Sequence, residues 1–523
     1  MSARPLFDDS YPWPFKVAEL VRFTLQDTFT QQWATSAANN FFRAVRPSEE
    51  SQPFVDVRRE VQGWAFMPKD WQEYFETTVQ LEERDQVLED LANGSRQDFP
   101  PSLTVYLDSC RSLSLDRTCT PTPVLSFPSP AAPPDAPKRP WPTAQPHQPL
   151  VTGQNTKNAL QAGQSPKKEH EVKQLSALVK DLLDEAPLSH CVDVGSGRAH
   201  LSRALASPPL DLQVLAIDWS DSQKSGAEKL DEIRDKAQLA PVKGSLTHEV
   251  SSLDADGVTS VLARWPPPEF RPTTPPALLV ALHACGDLTP DALKAFIRSN
   301  ADEGARRAGA RAVCVGCCYN MQTPSLFPLS SFVKSLPLAI PPAMTRAHLR
   351  LTPQSPPTWH VDAASSAAWR ASTLKIAYRA RFEAEMEGAQ LGADDERRVG
   401  RIPECKTWEE YRQRAIKKYD YGRTKITPED VPPLRFGAAD GSQQEEDARW
   451  ETALFLLRVF WTIRCWLGPP LESLCVLDRF TFLCEGLRQE WEDEREGPRR
   501  RVEVVNVFEQ KTGSLRNLAL VVR

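Results

Sequence analysis

The 523-residue chain lacks an excess of either charge, an uninterrupted apolar run of membrane length, and an even set of cysteines. Its 63 Lys and Arg stand against 69 Asp and Glu, a net charge of −6. That excludes a global basic field for nucleic acid and leaves only a local patch open. The most apolar segment, Ala453 to Leu467, is interrupted by Arg458 and Arg464 and falls short of a span, so no membrane partner is expected. It reads as a buried amphipathic helix ended by Gly468, Pro469 and Pro470. Eleven cysteines, several inside apolar runs and with no signal peptide ahead of them, argue against a disulfide scaffold. They place the chain in an intracellular compartment, cytoplasmic or nuclear. A hydrophobic content of 41% is enough for real cores in two to four domains.

One further absence narrows the chemistry. An apolar strand, Cys191 to Val194, carries Asp193 and runs into Gly195-Ser196-Gly197 before a helix start. Gly195 permits a tight turn, and Gly197 lets a ligand approach the backbone. The third glycine of a dinucleotide loop is missing, since His200 stands at that place. The carboxylate of Asp193 would also repel a pyrophosphate, whereas it would attract a cationic ammonium. A second strand, Leu212 to Ile217, ends on Asp218, placed to accept hydrogen bonds from ribose hydroxyls. S-adenosylmethionine offers both the ammonium and the ribose.

The segment Asp193-Val-Gly195-Ser-Gly197-Arg-Ala199 resembles the first motif of the class I, Rossmann-like S-adenosylmethionine methyltransferases, with alanine in place of the last glycine. Lys167 to Glu171, Leu282 to Leu288 and Val315 to Tyr319 together resemble the methyltransferase-like 25 family. Its relatives are also called ribosomal RNA adenine dimethylase domain-containing proteins. The likeness extends to Met67–Phe75 and Gly513–Leu520. It implies an α/β fold with a Rossmann-like sheet, a closing antiparallel hairpin, and methyl transfer from S-adenosylmethionine.

The pattern along the chain divides it into an N-terminal helical domain (1–118), a proline-rich disordered linker (119–163), a Rossmann-like core (164–325), a helical insertion (326–495) and a C-terminal β-hairpin (496–523). Within the core, strands are expected at Cys191 to Val194, Leu212 to Ile217, Ala240 to Gly244, Ala277 to Leu282 and Ala312 to Val315.

Ligands of open α/β sheets sit beyond the carboxyl ends of the strands, where the fourth core strand ends at His283. Many amino-group methyltransferases carry Asn or Asp, then Pro-Pro and an aromatic there. This chain has His283-Ala-Cys-Gly-Asp287, so the amine-gripping device is absent. His283 is a candidate general base or a pocket-shaping histidine. Asp287 is a candidate catalytic residue or a cap of the next helix, and Tyr319 a candidate acceptor contact or core residue. Lys168 and His170 precede the first core strand, where family members cover the cofactor. The cofactor set is thus Lys168, His170, Asp193, Gly195, Gly197, Asp218 and His283. No metal is expected, because short His-x-Cys and Cys-Cys pairs do not match zinc-finger spacings; His283, Cys285, Cys317 and Cys318 form the alternative zinc set. The most basic stretch, Tyr411 to Lys425, interleaves cations with tyrosines in a mixture that suits RNA, although Glu409, Glu410 and Asp420 dilute it into an ordinary solvated helix face. The acceptor is read as RNA, with protein as the second class. The competing reading is an inactive cofactor-binding scaffold whose helical insertion holds a partner. The sequence sets no oligomeric state.

Overall fold

The computed structural model describes residues 13–35, 42–45, 54–57, 64, 67–120, 122–127, 164–236, 243–265, 277–300, 309–338, 341–389, 391, 401–421, 424–431, 433, 435, 442–488, 500–510 and 513–523. The chain forms two compact units. The first comprises Met1–Leu25, Leu113–Pro353 and Leu471–Arg523, and the second Gln26–Ser112 and Gln354–Pro470. Residues 26–112 and 354–470, read from the sequence as parts of two different helical domains, therefore lie together.

Parallel strands with both faces covered need near-continuous apolar runs. The first unit supplies them. Its strands are β1 (Leu125–Phe127), β2 (His190–Val194), β3 (Gln213–Asp218), β4 (Ser245–Val250), β5 (Leu278–Cys285), β6 (Arg311–Cys317), β7 (Val502–Asn506) and β8 (Leu518–Val522). Their order in the sheet is β1-β7-β8-β6-β5-β2-β3-β4. Strands β2 to β6 pair in parallel. The hairpin β7–β8 pairs antiparallel within itself, with β6 and with β1. This mixed α/β sheet is the Rossmann-like class I arrangement with one strand added at its edge. Its order reverses at β2, flanked by β3 and β5, which opens a ligand crevice beyond the carboxyl ends there.

Helix α1 (Pro166–Glu185) begins with Ser165 accepting from the Lys168 backbone N–H and with Pro166 in the first turn. Leu175, Leu178, Val179 and Leu182 of this helix are buried against Val280 and Val313 of the sheet. Each such side chain contributes about 1.5–3 kcal/mol. Three further helices matter for the site: α2 (His200–Leu205), α3 (Leu288–Ser299) and α4 (Gly468–Gly486).

Three expectations need correction. The strand placed at Ala240 to Gly244 starts instead at Ser245; residues 237–242 lie outside the described residues. Gly244 is crowded by the backbone oxygens of Ala206 and Leu212, which marks it as the turn into the strand. The linker assigned to 119–163 begins too early, because Leu125–Phe127 pairs with β7, and the Val124 N–H donates to Val504 O at 2.7 Å. An apolar triplet between Pro123 and Pro128 suffices at a sheet edge, where neighbouring prolines are tolerated. The remainder of that segment, 128–163, lies outside the described residues. Finally, Gly468-Pro469-Pro470 starts α4 as well as following the helix Gln443–Cys465, since a first helical turn has no use for the missing proline N–H. Leu454, Phe455, Leu456 and Leu457 are all buried, so that apolar stretch is enclosed all round rather than amphipathic. Among the described residues, no helix is long and apolar enough to cross a membrane.

Candidate active site

Beyond β2 the chain turns sharply. The N–H groups of Gly195 and Ser196 both donate to Ile217 O, at 2.9 and 3.0 Å, so the loop is tied to β3. Gly195 takes φ +75° and Gly197 φ +55°, the left-handed region that glycine enters without a Cβ penalty. Ala199 adopts φ +56° at the place of the missing last glycine. Asp218 completes the loop: its Oδ2 accepts from the Gly197 N–H at 2.9 Å and its Oδ1 from the Ser220 N–H at 3.1 Å. Each carboxylate oxygen has a second lone pair, so hydroxyl donors can still be received. A Cβ on Gly197 would meet nothing within 4 Å, so that face of the loop is open.

Asp193 lies beneath this loop and is only 2% exposed. Its Oδ2 accepts from Ser202 Oγ of α2 at 2.5 Å. Burial pushes its carboxyl up to about 6, against the Ser202 bond and the nearby Lys168 charge. The ammonium of Lys168, half-buried, is pulled below its ordinary range by burial, although Glu171 and Asp193 counter that pull. Lys167 is exposed and His170 half-buried on the same helix. His200 opens α2; burial, then Arg203, Lys168 and Arg198, bring its imidazole down to about 4.

At the end of β5 the register with β6 shifts between Leu282 and Ala284, and His283 takes φ +62°. Its Nε2 lies 2.8 Å from Glu171 Oε2 on α1. Glu171 is 2% exposed, and burial alone would raise its carboxyl. The His283 bond and the Lys168 and Lys167 charges outweigh that and hold it below the ordinary range. An ionised carboxylate only accepts, so Nε2 carries the hydrogen. No partner engages Nδ1 among the described residues, and this nitrogen remains for an acceptor.

Two residues further, Cys285 reaches Cys317 across the strands, with Sγ atoms 3.2 Å apart. Cys317 and Cys318 Sγ are 3.7 Å apart. The three sulfurs all lie within 4.8 Å of one another, and His283 is not part of this group. The Cys317 hydrogen bond draws the Cys285 thiol down to about 6 and raises the Cys317 thiol in turn.

Two catalytic candidates take structural places. Asp287 stands at the start of α3 without capping it; its carboxylate instead receives the Thr323 N–H at 2.6 Å and Thr323 Oγ1 at 2.7 Å. It ties the loop after β6 to the loop after β5. Tyr319 is 1% exposed, with the Arg479 guanidinium 4.8 Å over its ring, and is a core residue rather than an acceptor contact. Arg479, from α4, also donates to Gln322 Oε1 at 2.6 Å, and so braces the loop from below. Two tyrosines of the basic stretch offer no open stacking face, and Tyr421, Arg423 and Lys425 lie outside what is described of its side chains. Tyr411 and Tyr419 are buried in a cluster with Tyr378 and Trp408, while Arg412 pairs with Glu385 and Arg414 with Glu410.

Sequence reasoning underweighted three residues. Glu171 is in helical phase with buried Leu175, Leu178 and Leu182, and a carboxylate on that apolar stripe was the available signal. Trp219, directly after Asp218, is 73% exposed at the rim. Arg479 lies far along the chain and carried no local signal.

The chain is similar, over residues 167–323, to a family described as a methyltransferase domain. It is also similar to "Probable methyltransferase-like protein 25" of Homo sapiens, at 33% identity over 98 residues, 19% of this chain and 15% of the relative. The match thus spans under a sixth of that relative's length. The span 167–323 contains the glycine loop, Asp218, His283 and the three gathered cysteines, on the sheet order described above, and this region is a methyltransferase domain.

Proposed function

We propose that this chain transfers the methyl group of S-adenosylmethionine to RNA, inside the cell. The observation that carries the cofactor assignment is the glycine loop held by Asp218 Oδ2, with the open face of Gly197 beside it. Asp218 receives the ribose hydroxyls, Gly195 and Gly197 admit the cofactor, and the exposed Trp219 ring offers its adenine a stacking face. Asp193, Lys168 and His170 support the methionine end. Asp193 acts through its field from beneath the loop, because Ser202 already holds its Oδ2. His283, pinned by Glu171, turns its free Nδ1 to the acceptor.

RNA as acceptor is supported by the family likeness and by an apolar side chain left exposed after a core strand, Met321, 64% exposed, after β6. Incubation with radiolabelled cofactor and fractionated cell RNA and protein tests it. Label in RNA is expected. Label confined to protein moves the acceptor class, and cofactor binding with label in neither makes the chain a scaffold.

A further inference from the structure

The geometry points to a soft-metal site, of the zinc class, formed by the thiolates of Cys285, Cys317 and Cys318 at the carboxyl ends of β5 and β6. Cys285 and Cys317 are direct partners in the parallel ladder, so their side chains leave the same face of the sheet. In a continuing strand Cys318 would point to the opposite face. It does not continue: Cys318 takes φ +47°, a left-handed conformation that a residue with a Cβ rarely adopts. That turn folds its Sγ back to 3.7 Å from Cys317 Sγ. The register shift before Ala284 sets the matching height of Cys285 on the other strand. Both strand ends are thus distorted, and both distortions converge on the three sulfurs.

The dimensions suit a tetrahedral ion. A zinc–sulfur bond of about 2.3 Å places ligand sulfurs about 3.8 Å apart. The observed 3.2 and 3.7 Å separations reach this with small side-chain rotations. Three protein ligands leave one position open, as in zinc sites that bind or activate a further ligand rather than in closed structural ones. Cys285 is the exposed member, so the open position faces outward from it. His283 lies outside the gathered group of sulfurs. Three thiolates and one divalent cation leave one negative charge, which the nearby Lys168 ammonium opposes.

Elemental analysis of the full chain, purified under reducing conditions without chelator, reads zinc directly, and cobalt(II) titration of the metal-stripped chain adds a thiolate-to-cobalt charge-transfer band. One zinc per chain and that band are expected. Cys285→Ser and Cys317→Ser should each weaken zinc retention more than about 100-fold, beyond the loss that a supporting residue causes. Cys405→Ser, outside the group, should retain it. Because Cys285 is exposed, its serine variant keeps the fold, and circular dichroism verifies this. A native chain that takes up neither zinc nor cobalt, or one in which Cys285 and Cys317 are recovered as a disulfide, overturns the site. S-adenosylmethionine binding, measured on the same samples, reports separately on the methyltransferase reading.

Discussion

His283 Nε2 and Glu171 Oε2 meet at 2.8 Å although 112 residues separate them in the chain. The contact joins the helix before the first core strand to the end of the strand beside it, across the crevice where the sheet order reverses. Glu171 is buried and ionised, and among the described residues its second oxygen, Oε1, has no hydrogen-bond partner. Such a carboxylate fixes which nitrogen of the imidazole is protonated and where the ring points.

Replacing His283 by Ala should lower methyl transfer by about 10²–10⁴ with little change in cofactor affinity, the range for loss of a positioned base. Glu171→Gln keeps a neutral acceptor for Nε2 but removes the charge, and should produce a smaller loss of the same kind. Single-turnover rates beside cofactor titrations decide. Full activity in His283→Ala would make this histidine part of the pocket wall only.

Asp218→Ala should cost about 1.5–3 kcal/mol of S-adenosylmethionine affinity, as for loss of hydrogen bonds to a charged group. The Gly197 and Ser220 N–H groups lose their acceptor in the same variant, so the loop loosens too. Asp218→Asn, which retains one carbonyl oxygen, should fall between. Calorimetry with the cofactor reads both, and NAD should give no heat. An unchanged affinity in the alanine variant removes Asp218 from the site.

Much of this arrangement was legible in the chain. Asp193, Gly195, Gly197 and Asp218 are signalled by short spacings around one strand–turn–helix, because the backbone itself makes that loop. The terminal hairpin was legible from two apolar runs about a turn. What escaped were features set by tertiary contact. Tyr319 reads like a site residue until Arg479, from a distant helix, is seen over its ring. Asp287 reads like a helix cap until Thr323 claims both of its oxygens. Tyr411 and Tyr419 look like stacking rings because sequence does not reveal that both are turned into a core. The edge strand Leu125–Phe127 was hidden by surrounding prolines.

Arg479 should be a stability residue. It is 4% exposed, donates to Gln322, and its Nη1 occupies the space that a Cβ on Gly316 would need, at 2.7 Å. Gly316→Ala should therefore destabilise by about 1–3 kcal/mol through forced displacement of that guanidinium. Denaturant unfolding measures it. Combining it with Arg479→Met, which vacates the space, should cost less than the sum of the two single changes. Strict additivity would mean that the two positions do not compete.

The pH dependence of stability should carry the signature of Asp193. Its ordinary value of 3.8 is raised to about 6 in the fold, chiefly by burial. Between these values the folded chain keeps a proton that the unfolded chain has released. The contribution of this carboxyl is thus full below about pH 4 and is lost as pH rises through about 6, an effect of about 3 kcal/mol. Neighbouring groups act in both directions: Lys168 favours the ionised form and Asp218 opposes it. His200, lowered from 6.5 to about 4, gives the opposite slope over the same window, which masks the effect in the wild type. Asp193→Asn removes only the carboxyl term. Its stability relative to wild type should therefore rise as pH goes from 4 to 7, whatever constant penalty the lost Ser202 bond imposes. Urea midpoints for both proteins across that range give the difference directly, and a difference that stays flat with pH would mean that Asp193 ionises as easily in the fold as in the unfolded chain.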